Sequence, residues 1–372
     1  MKLAIFTLVE HIEYQGKYYG YAPYIREMEL WNSHFEEVTI VAPLSKNKTI
    51  DVISRPYTHS KIKFIEVPVF NIKSITSVFG LLLLLPSMCY KMIKVMRHAD
   101  HLHFRSPSNI SAIAAVLQVF FPQKKKTMRY TGNWDPSSKQ PIGYKFQKNI
   151  FSNTFLTKNM TGLVYGNWDN MSKNINPFFA ATFHENEKEN SIYRDYSSQL
   201  KFIFVGGLVS GKRPLFAVKL IEELHSKGIR CHLDVLGDGP LRIEMETYIS
   251  QNDLKDIVKL HGNRDKEYLK SALKESHFVL LPSISEGWPK ALAEGMFFGC
   301  IPISTKISCV PWMLDDGKRG ILIEADFEKA VNEIYGVITH GSLKEISKAA
   351  QLWSQEYTVE KQVSDIKKIL AI

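Results

Sequence analysis

The 372-residue sequence lacks the residue patterns that mark several common classes of protein. Its four cysteines (Cys89, Cys231, Cys300 and Cys309) are scattered without a Cys-x-x-Cys pair, which argues against a zinc knuckle and a disulfide framework. It contains no helix-turn-helix, zinc-finger or RNA-binding aromatic motif, so a nucleic acid partner is not expected. The hydrophobic content of 45% and charged content of 23% are typical of a reduced, soluble globular protein.

Long apolar runs are also missing. The most apolar stretch, residues 78–90, is interrupted by Pro86 and followed by Lys91 and Lys94, so it falls short of the ~20 residues that a membrane span needs. The first ten residues form too short an apolar run for a signal peptide and have no small-residue cleavage site. We therefore expect a cytoplasmic chain whose first residues form a buried strand.

Acidic residues are scarce in one part of the chain. Residues 51–150 hold 15 Lys and Arg but only 4 Asp and Glu. Residues 181–372, in contrast, hold 25 Lys and Arg and 27 Asp and Glu. A basic surface beside an apolar helix suits the headgroups of an anionic membrane, although an ordinary solvated surface is the alternative. If the five leucines at 81–85 are exposed, the sequence predicts peripheral contact of this segment with the inner face of the membrane.

Strand candidates alternate with helical stretches along the chain, which implies βαβ units and parallel sheets. The strand candidates are residues 2–8, 38–41, 63–67, 101–104, 126–130 and 162–165 in the first half, and 201–205, 230–237, 258–261, 278–281 and 301–304 in the second. The length indicates two domains. We predict two doubly wound α/β domains that face a central ligand cleft, over residues 1–184 and 200–355, with a linker at 185–199 and a terminal helix at 356–372.

A glycine-containing loop follows the first strand of the second predicted domain. Strand 201–205 runs into Gly206 and Gly207, and Lys212 and Arg213 stand just before a helix that Pro214 is placed to start. Glycines let the backbone approach an anion, and a helix N-terminus offers amides to it, so a diphosphate is the ligand that this loop suits. The alternative is a purely structural turn.

A second loop carries two glutamates with seven residues between them. After strand 278–281, Glu286 lies in the loop and Pro289 is placed to begin a helix that carries Glu294. A rise of 1.5 Å per residue separates the carboxylates by ~8–12 Å along one wall, which is too far for a shared-proton pair and close to the length of a pyrophosphate and ribose. Because Glu294 lies in an otherwise apolar helix, its carboxylate needs a partner, either a ligand or a salt bridge.

These motifs, in this order, resemble glycosyltransferase family 4, a group of retaining enzymes with the GT-B fold. The resemblance covers about residues 200–325 and rests on the loop with Lys212, on Gly-Asp-Gly-Pro at 237–240 and on the E-x7-E spacing of Glu286 and Glu294. It implies two Rossmann-like domains with a C-terminal helix that returns to the first. It also implies transfer of a sugar from a nucleoside diphosphate-sugar donor to a saccharide acceptor, with no metal or other cofactor.

The resemblance implies roles for residues of the second domain. Glu294 would bind the ribose of the donor, Glu286 would contact the donor sugar, and Lys212 would compensate the charge of the leaving diphosphate. Arg213 would replace an arginine that the family has where this chain has Gly207. The catalytic candidates are therefore Glu286, Lys212 and Arg213, and the donor-binding candidates are Gly206, Gly207, Lys212, Arg213, Gly237, Gly262, Glu286, Gly287, Trp288, Pro289, Lys290 and Glu294.

The first domain matches the family only in outline. Thr131 or His103 would take the place of the family's cleft histidine, and residues 16–21 replace its glycine-rich first loop. Gly-Asn-Trp-Asp occurs at 132–135 and again at 166–169, either by coincidence or because the two Trp rings stack on a sugar. The acceptor-side candidates are Gly16, Tyr19, His103, Arg105, Thr131, Asn133 and Trp134.

The basic, apolar segment favours a lipid-linked acceptor, and hence a role in assembly of surface polysaccharide or lipopolysaccharide. Two alternatives stay open because the first domain departs from the family pattern. One is another GT-B nucleotide-sugar enzyme of the epimerase type, which would convert donor without an acceptor. The other is a catalytically silent subunit that binds a nucleotide-sugar.

Overall fold

The structure is a computed structural model that describes residues 1–47, 49–50, 54–68, 75–190 and 194–371, and in the helix beginning at Ile75 it describes side chains from Leu83 onward. The chain divides into two compact units: a first unit of Met1–Phe178 with Val363–Ile372, and a second unit of Phe179–Gln362. Each unit is built on one parallel sheet. This architecture confirms the prediction of two doubly wound α/β domains.

The first unit contains a seven-stranded parallel sheet and a small three-stranded antiparallel sheet. Its elements in chain order are β1 (Lys2–Phe6), β2 (Ile12–Tyr14), β3 (Lys17–Tyr21), α1 (Ala22–Asn32), β4 (Glu37–Ala42), β5 (Ser54–Pro56), β6 (Ile62–Glu66), α2 (Ile75–His98), β7 (His101–Ser106), α3 (Asn109–Leu117), β8 (Lys125–Tyr130), α4 (Ile142–Ser152), β9 (Met160–Val164) and β10 (Ile175–Pro177). The large sheet has the order β10-β9-β8-β7-β1-β4-β6.

The first strand lies in the middle of this sheet because it is apolar on both faces. Residues 3–6 of β1 are at most 1% exposed, and β1 pairs in parallel with β4 on one side and β7 on the other. A strand covered on both faces has a continuous apolar run rather than an alternating pattern. The chain proceeds outward from the centre in both directions, so right-handed crossovers put helices on both faces.

Two apolar clusters cover the two faces of the sheet. One contains Tyr24, Met28 and Trp31 of α1, together with Ile366 and Leu370 near the end of the chain. The other contains the buried side chains of α2, α3 and α4, so these three helices form one layer on the opposite face. The last helix therefore supplies core residues to the first unit.

The second unit contains a six-stranded parallel sheet with the order β13-β12-β11-β14-β15-β16. Its elements are β11 (Leu200–Val205), α5 (Pro214–Ser226), β12 (Cys231–Leu236), α6 (Arg242–Gln251), β13 (Val258–Gly262), α7 (Lys266–Glu275), β14 (Phe278–Leu281), α8 (Lys290–Phe297), β15 (Ile301–Thr305), α9 (Val310–Met313), β16 (Ile321–Ile323), α10 (Phe327–His340), α11 (Leu343–Ser354) and α12 (Val359–Leu370). The order reverses at β11 and β14, which is the position where open α/β sheets bind ligands at their carboxyl edge.

The acidic stretch predicted as a linker belongs to the second unit instead. Glu187 pairs with Lys266 at 3.0 Å and Lys270 at 3.1 Å on α7, and Arg194 is 6% exposed, with its guanidinium bonded to the carbonyl of Ser276 at 2.6 Å. Partial burial raises the pKa of Glu187, but the His184 N–H and the two ammonium groups outweigh it and lower that pKa to about 2. The units divide at Phe178, six residues before the predicted boundary.

Two elements of the first unit differ from the sequence analysis. Residues 16–21, expected to be a ligand-binding loop, belong to a β-hairpin in which β2 pairs with β3, and both Gln15 (φ 49°) and Gly16 (φ 71°) adopt the left-handed conformation of a tight turn. α4 has no counterpart in the sequence analysis, because the large apolar residues of its first half, Ile142, Tyr144 and Phe146, are spaced two residues apart, which is not the spacing of an amphipathic helix.

The leucine run lies in α2, a 24-residue helix with Pro86 inside it. Leu83 and Leu84 are 72% and 43% exposed and Leu85 is half-buried, whereas the side chains of residues 81 and 82 lie outside the described residues. Among the residues described, no helix combines the length and apolarity needed to cross a membrane.

Three histidines of the first unit, His11, His101 and His103, are buried, and their lowered pKa values make stability depend on pH. Burial lowers the pKa of His11 and of His101 from 6.5 to about 4. The unfolded chain takes up these protons near pH 6.5, whereas the folded chain takes them up only near pH 4. The stability that these histidines contribute is therefore fully present above pH 6.5 and is lost as the pH falls towards 4. Each histidine contributes about 3 kcal/mol over the full window, and about 2 kcal/mol between pH 7.5 and 5.

We expect His101→Gln to make the free energy of unfolding less sensitive to pH. The loss between pH 7.5 and pH 5, measured by urea denaturation, should shrink by about 2 kcal/mol relative to the parent chain. Replacing the exposed His225 of α5 by Gln is the control and should leave that loss unchanged. An equal pH dependence in the parent and in His101→Gln would contradict the prediction.

Candidate functional site

Three loops at the carboxyl edge of the second sheet are hydrogen-bonded to one another. The loop after β14 donates the Ile284 N–H to the carbonyl of Gly211 in the loop after β11, at 2.8 Å. The loop after β15 contributes Ser308, whose hydroxyl accepts the Glu286 N–H at 3.1 Å, and Cys309, whose thiol donates to the Gly287 carbonyl at 3.1 Å. Burial raises the pKa of Cys309 to about 12, so this group stays a thiol donor. Glu286 is thereby held in a defined position.

Lys212 and Glu286, from two of these loops, form an ion pair. The Lys212 Nζ lies 2.5 Å from the Glu286 Oε1; the Glu286 side chain is 7% exposed and the Lys212 side chain 31%. A carboxylate this deeply buried needs a cation or several donors, and Lys212 supplies the cation. The lysine keeps part of its surface open to solvent, so an anion can reach the ammonium from outside.

Arg213 adjoins Lys212 but contacts other groups. It has a left-handed backbone (φ 52°) at the start of α5, its guanidinium lies 3.7 Å from the centre of the Phe216 ring, and it donates to the Ala325 carbonyl at 3.1 Å. Its charge is thus committed to a stacking contact and to one carbonyl. Lys212 is the cation that these loops bring to Glu286.

The glycines after β11 and β12 are needed for close packing of two loops. A Cβ on Gly237 (φ 144°) would lie 1.9 Å from the Gly206 carbonyl oxygen, and one on Gly239 (φ 159°) would lie 2.7 Å from the Leu208 carbonyl oxygen. Only glycine combines this backbone with this approach. Gly207 is exposed and free of such crowding, so its position can admit a ligand.

Glu294 lies about one and a half turns into α8, at a separate recess. The Thr182 hydroxyl donates to its Oε1 at 2.7 Å, and Glu294, Thr182, Trp288 and Tyr357 line a small, open recess within the second unit. The two glutamates therefore have different surroundings: Glu286 faces an ammonium, and Glu294 faces a hydroxyl and a recess. A carboxylate with hydroxyl neighbours in a recess suits the hydroxyl groups of a sugar.

Trp288 packs in an aromatic group that forms one wall of this recess. Its ring centre lies 6.4 Å from Trp312, 6.2 Å from Trp353 and 5.9 Å from Tyr357. The side chain is 6% exposed, so its contribution is mainly structural. The helix begins one residue later than predicted: Pro289 is the residue before α8, and the half-buried Lys290 is the first residue of the helix.

Gly262 closes β13 next to a polar group. The Gly237 N–H donates to the Gly262 carbonyl at 2.9 Å, which joins the ends of β12 and β13. The neighbouring His261 ring contacts the Asp234 carboxylate at 2.6 Å and the Tyr268 hydroxyl at 3.0 Å. Partial burial raises the pKa of Asp234, but its bonds to the imidazoles outweigh this and lower the pKa.

Two of the first-unit candidates, His103 and Trp134, lie on opposite faces of the seven-stranded sheet. His103 is fully buried, bonds Thr127 at 2.8 Å and packs against Trp31 on the α1 face; burial holds its pKa well below its usual value. Trp134 is 6% exposed and belongs to the cluster on the opposite face. Both rings are covered by protein, so neither is available to a sugar in this structure.

The other first-unit candidates lie in loops or at strand ends. Thr131 donates its N–H to the Ser106 carbonyl at 2.7 Å, and the Asn133 side chain accepts the Asp135 N–H at 2.9 Å, so both shape the loop after β8. Tyr19 is half-buried in the β-hairpin and packs edge-on against Tyr14, and Gly16 is the exposed turn of that hairpin.

Arg105 belongs to an ion cluster that the sequence analysis missed. Arg105 and Arg129 are register partners on β7 and β8, and both donate to the buried Glu27 of α1, at 2.7 Å and 3.1 Å. Burial disfavours the charge on Arg105, but Glu27 outweighs it and raises the pKa of Arg105. Two like charges side by side on adjacent strands require such an anion. The only sign of this ion cluster in the sequence is an arginine near the end of each of two strand candidates.

No group of three or more His, Cys, Asp or Glu side chains among the described residues is arranged to hold a metal ion.

Comparison with known proteins gives a family match over part of the chain, and a fold. Residues 185–364 match the family model of glycosyl transferases group 1. The chain is 28% identical over 181 residues to a putative colanic acid biosynthesis glycosyltransferase, WcaL, of Salmonella typhimurium, which covers 45% of this chain and 44% of that protein. It is 32% identical over 145 residues to the amylovoran biosynthesis glycosyltransferase AmsK of Erwinia amylovora, and this match covers 37% of this chain and 36% of that protein. The matches therefore span less than half of these relatives.

Solved structures resemble the chain over its whole length. Anabaena HepE in complex with UDP superposes with a TM-score of 0.70 at 14% identity and covers 100% of both chains. WaaG, a glycosyltransferase involved in lipopolysaccharide biosynthesis, superposes with a TM-score of 0.62 at 10% identity and covers 99% of both. At these identities the likeness shows the fold alone.

We expect Gly237→Ala to destabilise the second unit by about 3 kcal/mol or more, because the added methyl group meets the Gly206 carbonyl and the backbone is one that alanine avoids. Gly211→Ala, in the same group of loops, is the matched control: nothing lies within 4 Å of its Cβ, and the change should stay within about 1 kcal/mol. Urea denaturation measures both. Equal stability of the two variants would contradict the close approach.

Proposed function

We propose that the chain, whose residues 185–364 match the glycosyl transferases group 1 family and whose fold is GT-B, is a retaining glycosyltransferase of that family. It would move a sugar from a nucleoside diphosphate-sugar donor to a saccharide acceptor. The observation that carries the proposal is the Lys212–Glu286 ion pair, held by three hydrogen-bonded loops at the carboxyl edge of the second sheet.

Lys212 is proposed to bind the donor diphosphate. Breaking the bond between the sugar's anomeric carbon and the diphosphate leaves negative charge on the leaving group, and a fixed ammonium nearby stabilises that charge without reorganising. Part of the Lys212 side chain is exposed, so the diphosphate can reach it while Glu286 holds the ammonium in place. The side chain also passes over Gly206, with its Cδ 3.9 Å from where a Cβ would stand.

Glu286 and Glu294 are proposed to bind the two sugars of the donor. Glu286, whose N–H and carboxylate are both held, would accept hydrogen bonds from hydroxyls of the transferred sugar. Glu294 would accept hydrogen bonds from the ribose hydroxyls in the recess that it lines with Thr182. Hydrogen bonds to a charged acceptor contribute more than neutral ones, about 1.5–3 kcal/mol each.

The acceptor is proposed to be a lipid-linked saccharide in assembly of a surface polysaccharide or lipopolysaccharide, with the protein at the inner face of the membrane. The names of WcaL, AmsK and WaaG, which refer to colanic acid, amylovoran and lipopolysaccharide, support this class of product. The exposure of Leu83 and Leu84 beside basic residues of α2 supports a lipid surface as the place of reaction. Several similar structures carry UDP, which makes UDP the first nucleotide to test.

The test is thermal stabilisation by UDP, GDP, ADP and CMP. One nucleotide at 100 times its Kd should add about 2.7 kcal/mol to stability, which raises Tm by several degrees. Glu294→Gln should weaken its binding by about tenfold or more, since the charged acceptor is lost. Lys212→Met should weaken binding of the nucleoside diphosphate by a similar factor, while binding of the free nucleoside should stay unchanged.

Glu244→Gln, an exposed position on α6, is the control and should bind like the parent chain. No stabilisation by any nucleotide, or stabilisation that both site variants retain, would overturn the proposed donor site. Tight nucleotide binding without turnover of donor in the presence of membrane extracts would favour a silent binding subunit, and turnover of donor without any acceptor an epimerase-type enzyme.

A further inference from the structure

Exposed apolar side chains are concentrated on one layer of the first unit. Over the described residues, eighteen large apolar side chains are exposed, and nine of them lie between Leu83 and Phe155. This segment holds α2, α3 and α4, whose buried sides pack into one cluster on the sheet. Single exposed apolar residues are common on protein surfaces. The concentration of half of the exposed large apolar side chains in one segment, however, indicates a surface that meets an apolar partner.

Five of these side chains lie at the same end of the layer. The first turn of α4 exposes Ile142 (87%), Tyr144 (37%) and Phe146 (45%), directly after the loop that leaves the carboxyl end of β8. On α2, Leu83 lies fifteen residues before His98, or ~22 Å along the helix, which matches the ~20 Å length of β7. Leu83 and Leu84 are therefore level with the carboxyl ends of the strands too.

The first turn of α4 projects from the layer. All six residues from 141 to 146 are exposed, and the helix becomes buried only at Gln147, which is 2% exposed. Ile142 and Phe146 are four residues apart and share one side of the helix, with Lys145 beside them. A projecting turn with an aliphatic, an aromatic and a basic side chain can enter the boundary between headgroups and acyl chains.

The charge of the segment favours an anionic partner. Residues 83–158 contain twelve Lys and Arg but only two acidic residues, Asp100 and Asp135. Three of the twelve do not add to the surface charge, because Arg105 and Arg129 are paired with Glu27 and Lys126 is buried, which leaves nine. Asp100 accepts the Lys2 N–H at 2.8 Å near the opposite end of the layer, and Asp135 caps its own loop by accepting the Ser137 N–H at 2.8 Å. Lys139 and Lys145 are exposed next to the apolar turn. A second copy of the chain would bring two such basic surfaces together, which like-charge repulsion opposes.

We infer that the α2–α4 layer docks on an anionic lipid bilayer, with Ile142 and Phe146 inserted and Lys139 and Lys145 at the headgroups. This inference extends the expectation drawn from the leucine run, because its main contact is α4 rather than α2. It stands on the surface of the first unit and does not depend on the transfer chemistry proposed for the second. Docking at this end brings the carboxyl ends of the first unit's strands to the membrane.

The test is co-flotation of the full chain with vesicles of phosphatidylcholine alone or with about 30% phosphatidylglycerol. The chain should float with the anionic vesicles, and Ile142→Ser/Phe146→Ser should weaken binding by about tenfold or more. Lys139→Gln/Lys145→Gln should weaken it by about fivefold for each lysine and reduce its salt dependence. Since all four positions are exposed, the variants should keep the Tm of the parent chain and its stabilisation by nucleotide.

Matched controls come from the second unit. Ile243→Ser, a 77% exposed isoleucine in the first turn of α6, and Lys255→Gln/Lys259→Gln, two exposed lysines, should bind vesicles like the parent chain. No binding to anionic vesicles would overturn the inference. So would a double variant, Ile142→Ser/Phe146→Ser, that binds vesicles normally, which would mean a purely electrostatic polyanion surface. A double variant that instead changes the oligomeric state would also overturn it, because the surface would then be an interface between copies.

Discussion

The buried carboxylate of Glu286 needs a positive partner, and the chain provides it from a residue 74 positions earlier. Removing a carboxylate from water costs several kcal/mol unless an ion pair and hydrogen bonds replace the lost solvation. Here Lys212 contributes the charge, and the Ser308 hydroxyl fixes the backbone beside the carboxylate. The arrangement exists only because β11, β14 and β15 are parallel neighbours whose carboxyl ends meet at one edge.

The same constraint governs the glycines around that edge. β11 and β12 end in loops so close that the Gly206 carbonyl occupies the space where Gly237 would carry a Cβ. The two residues directly follow the ends of adjacent strands, and the Lys212 side chain passes over Gly206 towards Glu286. Close packing of the backbone therefore explains Gly237, and the same edge of the sheet carries the ion pair.

In the first unit, two buried cations need a negative partner. Arg105 and Arg129 stand side by side on β7 and β8, and Glu27 of α1 accepts from both. The Arg129 guanidinium also lies 4.4 Å from the Tyr165 ring and 4.7 Å from the Phe178 ring, which supports the buried cation. On the other face of the same sheet, the α2–α4 layer buries a methionine-rich cluster and leaves apolar and basic side chains outside. One sheet therefore separates an ion cluster from a surface suited to lipid.

The sequence alone determined the two α/β units, most of the strands and the positions of Lys212, Glu286 and Glu294, because apolar periodicity and motif spacing are local properties of the chain. It also placed Pro214 at the start of α5. Only the tertiary structure decided which distant groups meet: Lys212 with Glu286, Thr182 with Glu294, and Glu27 with two arginines. It likewise decided that His103 and Trp134 are covered while the first turn of α4 is exposed. The physical reason is that burial of a polar or aromatic side chain depends on which neighbouring strand or helix packs over it, and those neighbours are tens of residues away in the sequence.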